Sequence, residues 1–280
     1  MGDLHTHWDD VDNWQFASAP YDLLFFAGDL GGGLADSTLR VARSISRLRQ
    51  PTLVMPGNND TVDVEELAAE LALQGGFNKI LAITRDNATE SDIRLCGYSL
   101  HELRACGLAV DIIAGRPHSM GGPQLSFPDY MAATYAVHSL EDSARRLCEL
   151  VDAAEAEALV FMAHNGPTGL GDEPGAIWGC DFKPGGGDWG DPDLEEAIAY
   201  ARSRGKRVLA VVAGHMHLRT RDGEERPWLV DRDGTLYVNS ARVPRIFAGD
   251  DDTLRHHLEM RIEAGGVSFR ELLVPESGAI

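Results

Sequence analysis

The sequence predicts an α/β protein folded as a single domain over residues 1–280. Three observations carry this. Apolar runs ending in Asp, Asn or His alternate with stretches of helical spacing through residues 21–217. Those runs are apolar at nearly every position, as in strands covered on both faces. Beyond residue 226 the pattern changes to two hairpins, which place antiparallel strands in a second sheet packed on the first.

In chain order, YDLLFFAGD (21–29) reads as a buried strand and LADSTLRVARSISRL (34–48) as a helix with apolar residues at helical spacing. PTLVMPGN is the next strand and VDVEELAAELAL (62–73) the next helix. FNKILAITRD and SDIRLCGYS read as shorter, edge-like strands. LAVDIIAG (108–115) follows, then a Gly/Pro loop, GRPHSMGGPQLSFPDY. SLEDSARRLCELVDAAEA (139–156) is a helix and EALVFMAHN (157–165) a strand. The stretch 166–191 is a loop of a length that is often functional. PDLEEAIAYARSRG (192–205), with Pro192 at its start, is a helix, and KRVLAVVAGHMH (206–217) a strand. PWLVDRDGTLYVNSA reads as a hairpin turning at Asp233 and Gly234, and HHLEMRIEAGGVSFRELLV as one turning at Gly265 and Gly266.

The formal net charge is -19. Such a field repels phosphate backbones, so long nucleic acid and anionic membranes are not expected partners. The four cysteines form no C-x-x-C pair, which argues for a reducing compartment and against a thiolate metal site. No apolar stretch approaches the ~20 residues of a membrane span, and MGDLHTHWDD has no secretory core; a cytoplasmic location is expected.

The strand ends carry the chemistry. DLLFFAG ends at Asp29, TLVMPG at Asn58 and Asn59, ALVFMA at His164, and VLAVVAG at His215 and His217, while Asp3 and His5 open the chain. Ligand sites of open α/β sheets lie beyond the carboxyl ends of their strands, so these side chains are expected in one crevice. Asp3 and His5, like His215 and His217, are two apart, which in extended backbone puts each pair on one face. The donors are oxygen and imidazole, suited to Mn, Fe, Ni or Zn. Seven are too many for one ion with open positions and suit two ions sharing a carboxylate.

Asp3-Leu4-His5, Gly28-Asp29, Gly57-Asn58-Asn59-Asp60, Ala163-His164-Asn165 and Gly214-His215-Met216-His217 resemble, in order and spacing, the five blocks of the calcineurin-like metallophosphoesterase superfamily. The resemblance implies a four-layer αββα sandwich of two mixed sheets flanked by helices. It implies two divalent metal ions: Asp3, His5 and His217 on the first, Asn58, His164 and His215 on the second, and Asp29 between them. It also implies a metal-bridging hydroxide that attacks the phosphorus of a small phosphorylated substrate.

Two departures matter. Asn59 stands where many members carry a histidine thought to protonate the leaving oxygen. An amide can donate a hydrogen bond to a phosphoryl oxygen but cannot deliver a proton, and Asp60 would orient that amide. The expected substrates are therefore phosphodiesters or pyrophosphates with good leaving groups. A phosphomonoesterase using His118 or His101 as substitute acid, or a non-catalytic metal-binding scaffold, are the alternatives. Second, only Met1 and Gly2 precede the first block, so the first strand is truncated or absent, or the native start lies upstream of Met1. Asp3 and His5 are then expected to fray, weakening the first metal. Arg116 and Lys183, each in a Gly/Pro-rich loop, are the expected phosphate contacts, and Trp178 and Trp189 are expected either to stack on a base or aryl ring or to pin the 166–191 loop.

Overall fold

A computed structural model of the chain describes residues 1–63, 66–67, 81–83, 93–105 and 107–278. The fold is mixed α/β. Among the described residues its central sheet has seven strands in the order β3-β5-β6-β7-β8-β10-β9. These strands are β3 (Leu81–Ile83), β5 (Ser99–Ala105), β6 (Leu108–Ala114), β7 (Ala158–Met162), β8 (Arg207–Ala213), β9 (Leu229–Arg232) and β10 (Thr235–Asn239). A parallel sheet, β1-β2-β4, comprises Leu24–Phe26, Thr52–Val54 and Ile93–Leu95. A third, antiparallel sheet comprises β11 (Ile246–Ala248), β12 (Thr253–Glu263) and β13 (Gly266–Pro275).

The helices are α1 (Asp10–Ser18), α2 (Ala35–Ile45), α3 (Pro128–Tyr135), α4 (Leu140–Ala153) and α5 (Pro192–Ser203). Three apolar cores fill the spaces between elements. Phe16, Leu39, Ala42 and Ile45 from α1 and α2 pack with Leu24, Phe26 and Val54. Phe25, Leu53 and Met55 meet Ile112, Val160, Met162, Ala210 and Val212 of the central sheet. The opposite face of that sheet, through Ile113, Leu159, Phe161 and Val211, packs on Leu147 and Val151 of α4 and Leu194 and Ile198 of α5. The strand side chains therefore alternate between two apolar cores, which is why the runs read as continuously apolar.

Several elements differ from the sequence reading. The first hairpin does turn at Asp233 and Gly234, both with positive φ, but β10 pairs in parallel with β8 and so extends the central sheet instead of joining a second one. Only the β12–β13 hairpin builds a separate sheet, and it turns at Ala264 and Gly265, one residue earlier than read. Helix α3 lies partly inside the stretch read as loop; Pro128 at its first turn presets the helical φ. Helix α1 has no apolar stripe to find. It is held instead by a reciprocal cap, in which the Asp9 side chain accepts from Asp12 N–H and Asp12 accepts from Asp9 N–H. Of the helix read over 62–73, residues 66 and 67 are helical and the remainder beyond 63 lies outside the described residues. The strand read in FNKILAITRD is described only at 81–83.

The chain start is tied down rather than frayed. The Met1 amine donates to Phe25 O, Ala27 N–H to Met1 O, and Asp3 N–H to Gly28 O at 3.0 Å. Behind it, Asp12 accepts from Arg245 and Arg255, each at 2.8 Å, and all three side chains are buried. Arg245 also donates to His7 O and lies over the Trp8 ring. This clamp joins the C-terminal sheet to the segment carrying His5.

Two outcomes are expected. Asp12→Ala leaves the buried Arg245 guanidinium without a carboxylate, while Arg255 keeps Asp9 and Glu276, and should cost about 3 kcal/mol in urea unfolding. Asp10→Ala, which removes an exposed pair with Arg47, should cost below about 1 kcal/mol. Burial, aided by Arg94, pushes His101 down to about 4, and burial pushes His257 to about 3, both from 6.5. Each stays neutral when folded while the unfolded chain takes up a proton below 6.5. Their contribution is thus intact above pH 6.5 and lost as the pH falls toward 4. Urea midpoints should drop between pH 7 and 5, and a His101→Gln, His257→Gln variant should show a shallower drop.

Candidate metal centre

The site is made where four strands of two sheets stop. Asp29 lies three residues past β1, Asn58 four past β2, His164 two past β7, and His215 two past β8. Because β1 pairs in parallel with β2, and β7 with β8, their carboxyl ends point the same way in each pair. Asp3 and His5 reach this edge through the ladder on β1, with His5 N–H donating to Asp29 O at 2.8 Å.

Two three-residue groups result, Asp3–His5–His217 and Asp29–His164–His215, in each of which the potential ligand atoms lie within 4.8 Å of one another. Asp29 belongs to the second group and also faces the first. Its Oδ2 is 3.8 Å from His5 Nε2 and its Oδ1 is 3.5 Å from His164 Nε2. His5 Nε2 and His217 Nε2 face each other at 3.1 Å, and Asn58 Oδ1 is 2.9 Å from His164 Nε2. His215 and His217 do not share one face, contrary to the sequence expectation. The backbone is turned, with φ +70° at His215, so the two imidazoles enter different groups.

Backbone strain is concentrated at this edge. Asp3, His5, Thr6, Asp29 and His118 also have positive φ, which costs on the order of 1 kcal/mol or more apiece for non-glycine residues. Two glycines make room. A Cβ on Gly57 would lie 2.2 Å from Asp29 Oδ1, and one on Gly214 would lie 2.2 Å from Asp3 Oδ2.

The electrostatics are those of a crowded acid pair. Burial and the neighbouring Asp29 push Asp3 well above the usual carboxylate range. Burial also pushes Asp29 upward, but His164, the Asn59 N–H and amide and His215 outweigh it and hold Asp29 low. Burial and His164 drive His215 down to about 3, and burial and His5 drive His217 to about 4. These imidazoles present lone pairs rather than charge. Asp3 Oδ2 accepts from His215 N–H, while its Oδ1 is buried without a hydrogen-bond donor, 3.8 Å from His217 Nε2. An orphaned buried carboxylate oxygen among neutral imidazoles fits a cation, and the oxygen–nitrogen donor set fits a borderline or hard one.

Other sequence-derived roles need correction. Asp60 does not orient the Asn59 amide. It accepts from Gly57 N–H, Gly31 N–H and the Thr38 hydroxyl, bracing the turn from below. Asn59 grips Asp29, its backbone N–H donating to Oδ1 at 2.8 Å and its amide to Oδ2 at 2.7 Å. His118 is fully buried against Phe127 and Tyr130; its Nδ1 donates to Gly57 O, and burial pushes it down to about 4. A neutral, enclosed imidazole cannot serve as a general acid near neutral pH. His101 is equally buried and bonds Ser99. Arg116, read as a phosphate contact, is 1% exposed and spent on Asp191 and Asp193, which fixes the start of α5. Lys183 remains exposed, its ammonium over the Trp189 ring at 5.5 Å.

The 166–191 loop is pinned, not loose. Trp178 is buried and donates to Gly214 O, and Arg226 donates to Ala176 O, Gly179 O and Asp181. Asn165, unassigned in the sequence although it directly follows His164, donates to Trp189 O at 2.9 Å. Met120 O, which sequence patterns do not reveal, receives Trp189 Nε1 at 2.8 Å and meets His215 Nε2 at 3.2 Å. No helix among the described residues is long and apolar enough to cross a membrane. Comparisons with protein-family models and with curated proteins find no match for this chain.

Proposed function

We propose that this chain is a dinuclear metal-dependent phosphoesterase of the calcineurin-like type, acting on small phosphodiesters or pyrophosphates with good leaving groups. The observation that carries the reading is Asp29, one carboxylate between two separate ligand groups, facing His5 with one oxygen and His164 with the other. Asp3, His5 and His217 would hold one divalent ion and Asn58, His164 and His215 the other, with Asp29 shared; Mn, Fe, Ni and Zn all suit these donors. Such ions, when bound, draw charge from phosphoryl oxygens and acidify water.

The chain's own residues supply the rest. Asn59 fixes both oxygens of Asp29, so the shared carboxylate needs no reorientation when a substrate arrives. Asp60 and Thr38 hold the turn that presents Asn58 and Asn59. Neither of the substitute acids weighed, His118 and His101, reaches the site as a proton donor, since both are buried and pushed down to about 4. This favours leaving groups stable as anions over alkoxides, and disfavours the phosphomonoesterase alternative.

Mn²⁺-stimulated hydrolysis of bis(p-nitrophenyl) phosphate is expected, falling by more than about a hundredfold in Asp29→Ala. Calorimetry should find two Mn²⁺ per chain, and one in His217→Ala. Absence of turnover with two metals bound would favour the scaffold reading. Glycerol phosphate should be turned over at least about a hundredfold more slowly than the diester; comparable rates would overturn the leaving-group preference.

A further inference from the structure

The two imidazoles of the second ligand group are each tied to a backbone carbonyl, and by opposite nitrogens. His164 Nδ1 lies 2.6 Å from Ala27 O, and His215 Nε2 lies 3.2 Å from Met120 O. A carbonyl oxygen only accepts, so each of these nitrogens carries its ring's proton and donates it. The lone pair is then left on Nε2 in His164, the nitrogen that faces Asn58 and Asp29, and on Nδ1 in His215. Each carbonyl thus selects which nitrogen its imidazole can offer to a cation.

The two carbonyls are held by different means. Ala27 directly follows β1, and its N–H donates to Met1 O in the ladder beside that strand. Met120 lies in a loop outside any strand or helix, followed by Gly121 and Gly122 at φ +69° and +75°. Side chains hold it instead. Met120 N–H donates to Ser126 Oγ at 2.9 Å, and Ser119, bonded to Asp191, receives Gly121 N–H at 3.0 Å. Met120 O itself receives, besides His215, the Trp189 indole N–H at 2.8 Å. The indole is aimed in turn: the Trp189 carbonyl receives Asn165 Nδ2 and Gly122 N–H, and its backbone N–H donates to Trp178 O. Asn165 directly follows His164, so a short run of hydrogen bonds links the backbone of one imidazole to the acceptor of the other.

We infer that Trp189 is a positioning residue for the second metal: its indole N–H holds the Met120 carbonyl where it fixes the tautomer and ring orientation of His215. The inference rests on the metal-centre reading above, while the contacts that carry it are all made by the chain itself. Partners that orient a metal-binding histidine are worth about 10–100-fold in metal affinity. The effect is confined to His215, because His164 takes its orientation from Ala27. A Trp189 that merely packed the loop would act through the shape of its ring, and loss of the N–H alone would change nothing at His215.

The test removes the donor and keeps the ring. Benzothienylalanine, which has the indole's shape with sulfur in place of the N–H, is placed at position 189 of the full chain. Calorimetry with Mn²⁺ should show one ion bound about tenfold more weakly and the other unmoved. In a His217→Ala chain, which retains only the second group intact, the same loss should appear. Long-range nitrogen–proton NMR of the metal-free chain should show His215 protonated at Nε2, and a mixture of tautomers after the replacement. Trp189→Phe, which also lacks the donor, should behave alike. Phe182→Ala, which removes the ring standing edge-to-face with Trp189 at 5.2 Å, should leave both ions as they are. Unchanged affinities with the isostere, or equal weakening of both ions, overturn the positioning role, whatever the turnover of bis(p-nitrophenyl) phosphate. An unaltered chain that takes up no second Mn²⁺ overturns it too. A tenfold loss of one ion in a chain without turnover leaves the positioning role standing and sinks the hydrolase reading alone.

Discussion

Two carboxylates, Asp3 and Asp29, are buried side by side with four imidazoles around them, and most of the local structure answers that fact. Each disfavours ionisation of the other, and with burial this lifts Asp3 well above the usual carboxylate range while Asp29 is held low. The fold tolerates this because donors converge on Asp29 from Asn59 and on Asp3 from His215 N–H. Backbone in left-handed conformation and side-chain-free glycines bring those donors close enough. Strained geometry of this kind persists only where the surroundings over-determine it. Here the surroundings are the ends of two sheets whose strands are locked by apolar cores on either face.

Rigidity extends outward from the acids in layers. The Arg245–Asp12–Arg255 clamp steadies the segment bearing His5. Asp60 steadies the turn bearing Asn58 and Asn59. The Arg116–Asp191–Asp193 group fixes α5, and Asp191 also accepts from Asn165 and Ser119, next to His164 and Met120 respectively. Charged residues that a sequence would offer to a ligand thus hold the frame, while Asn59, a weak candidate on its own, touches the shared carboxylate at both oxygens.

The strand tips were legible because a buried strand leaves an unbroken apolar run, and a polar residue at its end stands out. Asp29, His164, His215 and His217 were found in that way, and α2, α4 and α5 from apolar spacing or a leading proline. What escaped depends on contacts distant in sequence. Helix α1 is held by Asp9 and Asp12 rather than by a stripe. Arg116 and Lys183 look alike in a Gly/Pro loop, and only the approach of Asp191 and Asp193 buries one of them. The sheet membership of β10 is set by its parallel partner β8, which no hairpin signature encodes.

His5 and His217 face each other across 212 positions of chain, and Asn58 and His164 across 106. Closing contacts so far apart waits on the docking of everything between them. On a ribosome the first ligands emerge long before their partners, so a nascent chain presents isolated acids and imidazoles with no cage to join. On the function proposed above, capture of an ion is the last event of maturation rather than its nucleus, and a chain halted before residue 217 lacks a face of the first group altogether.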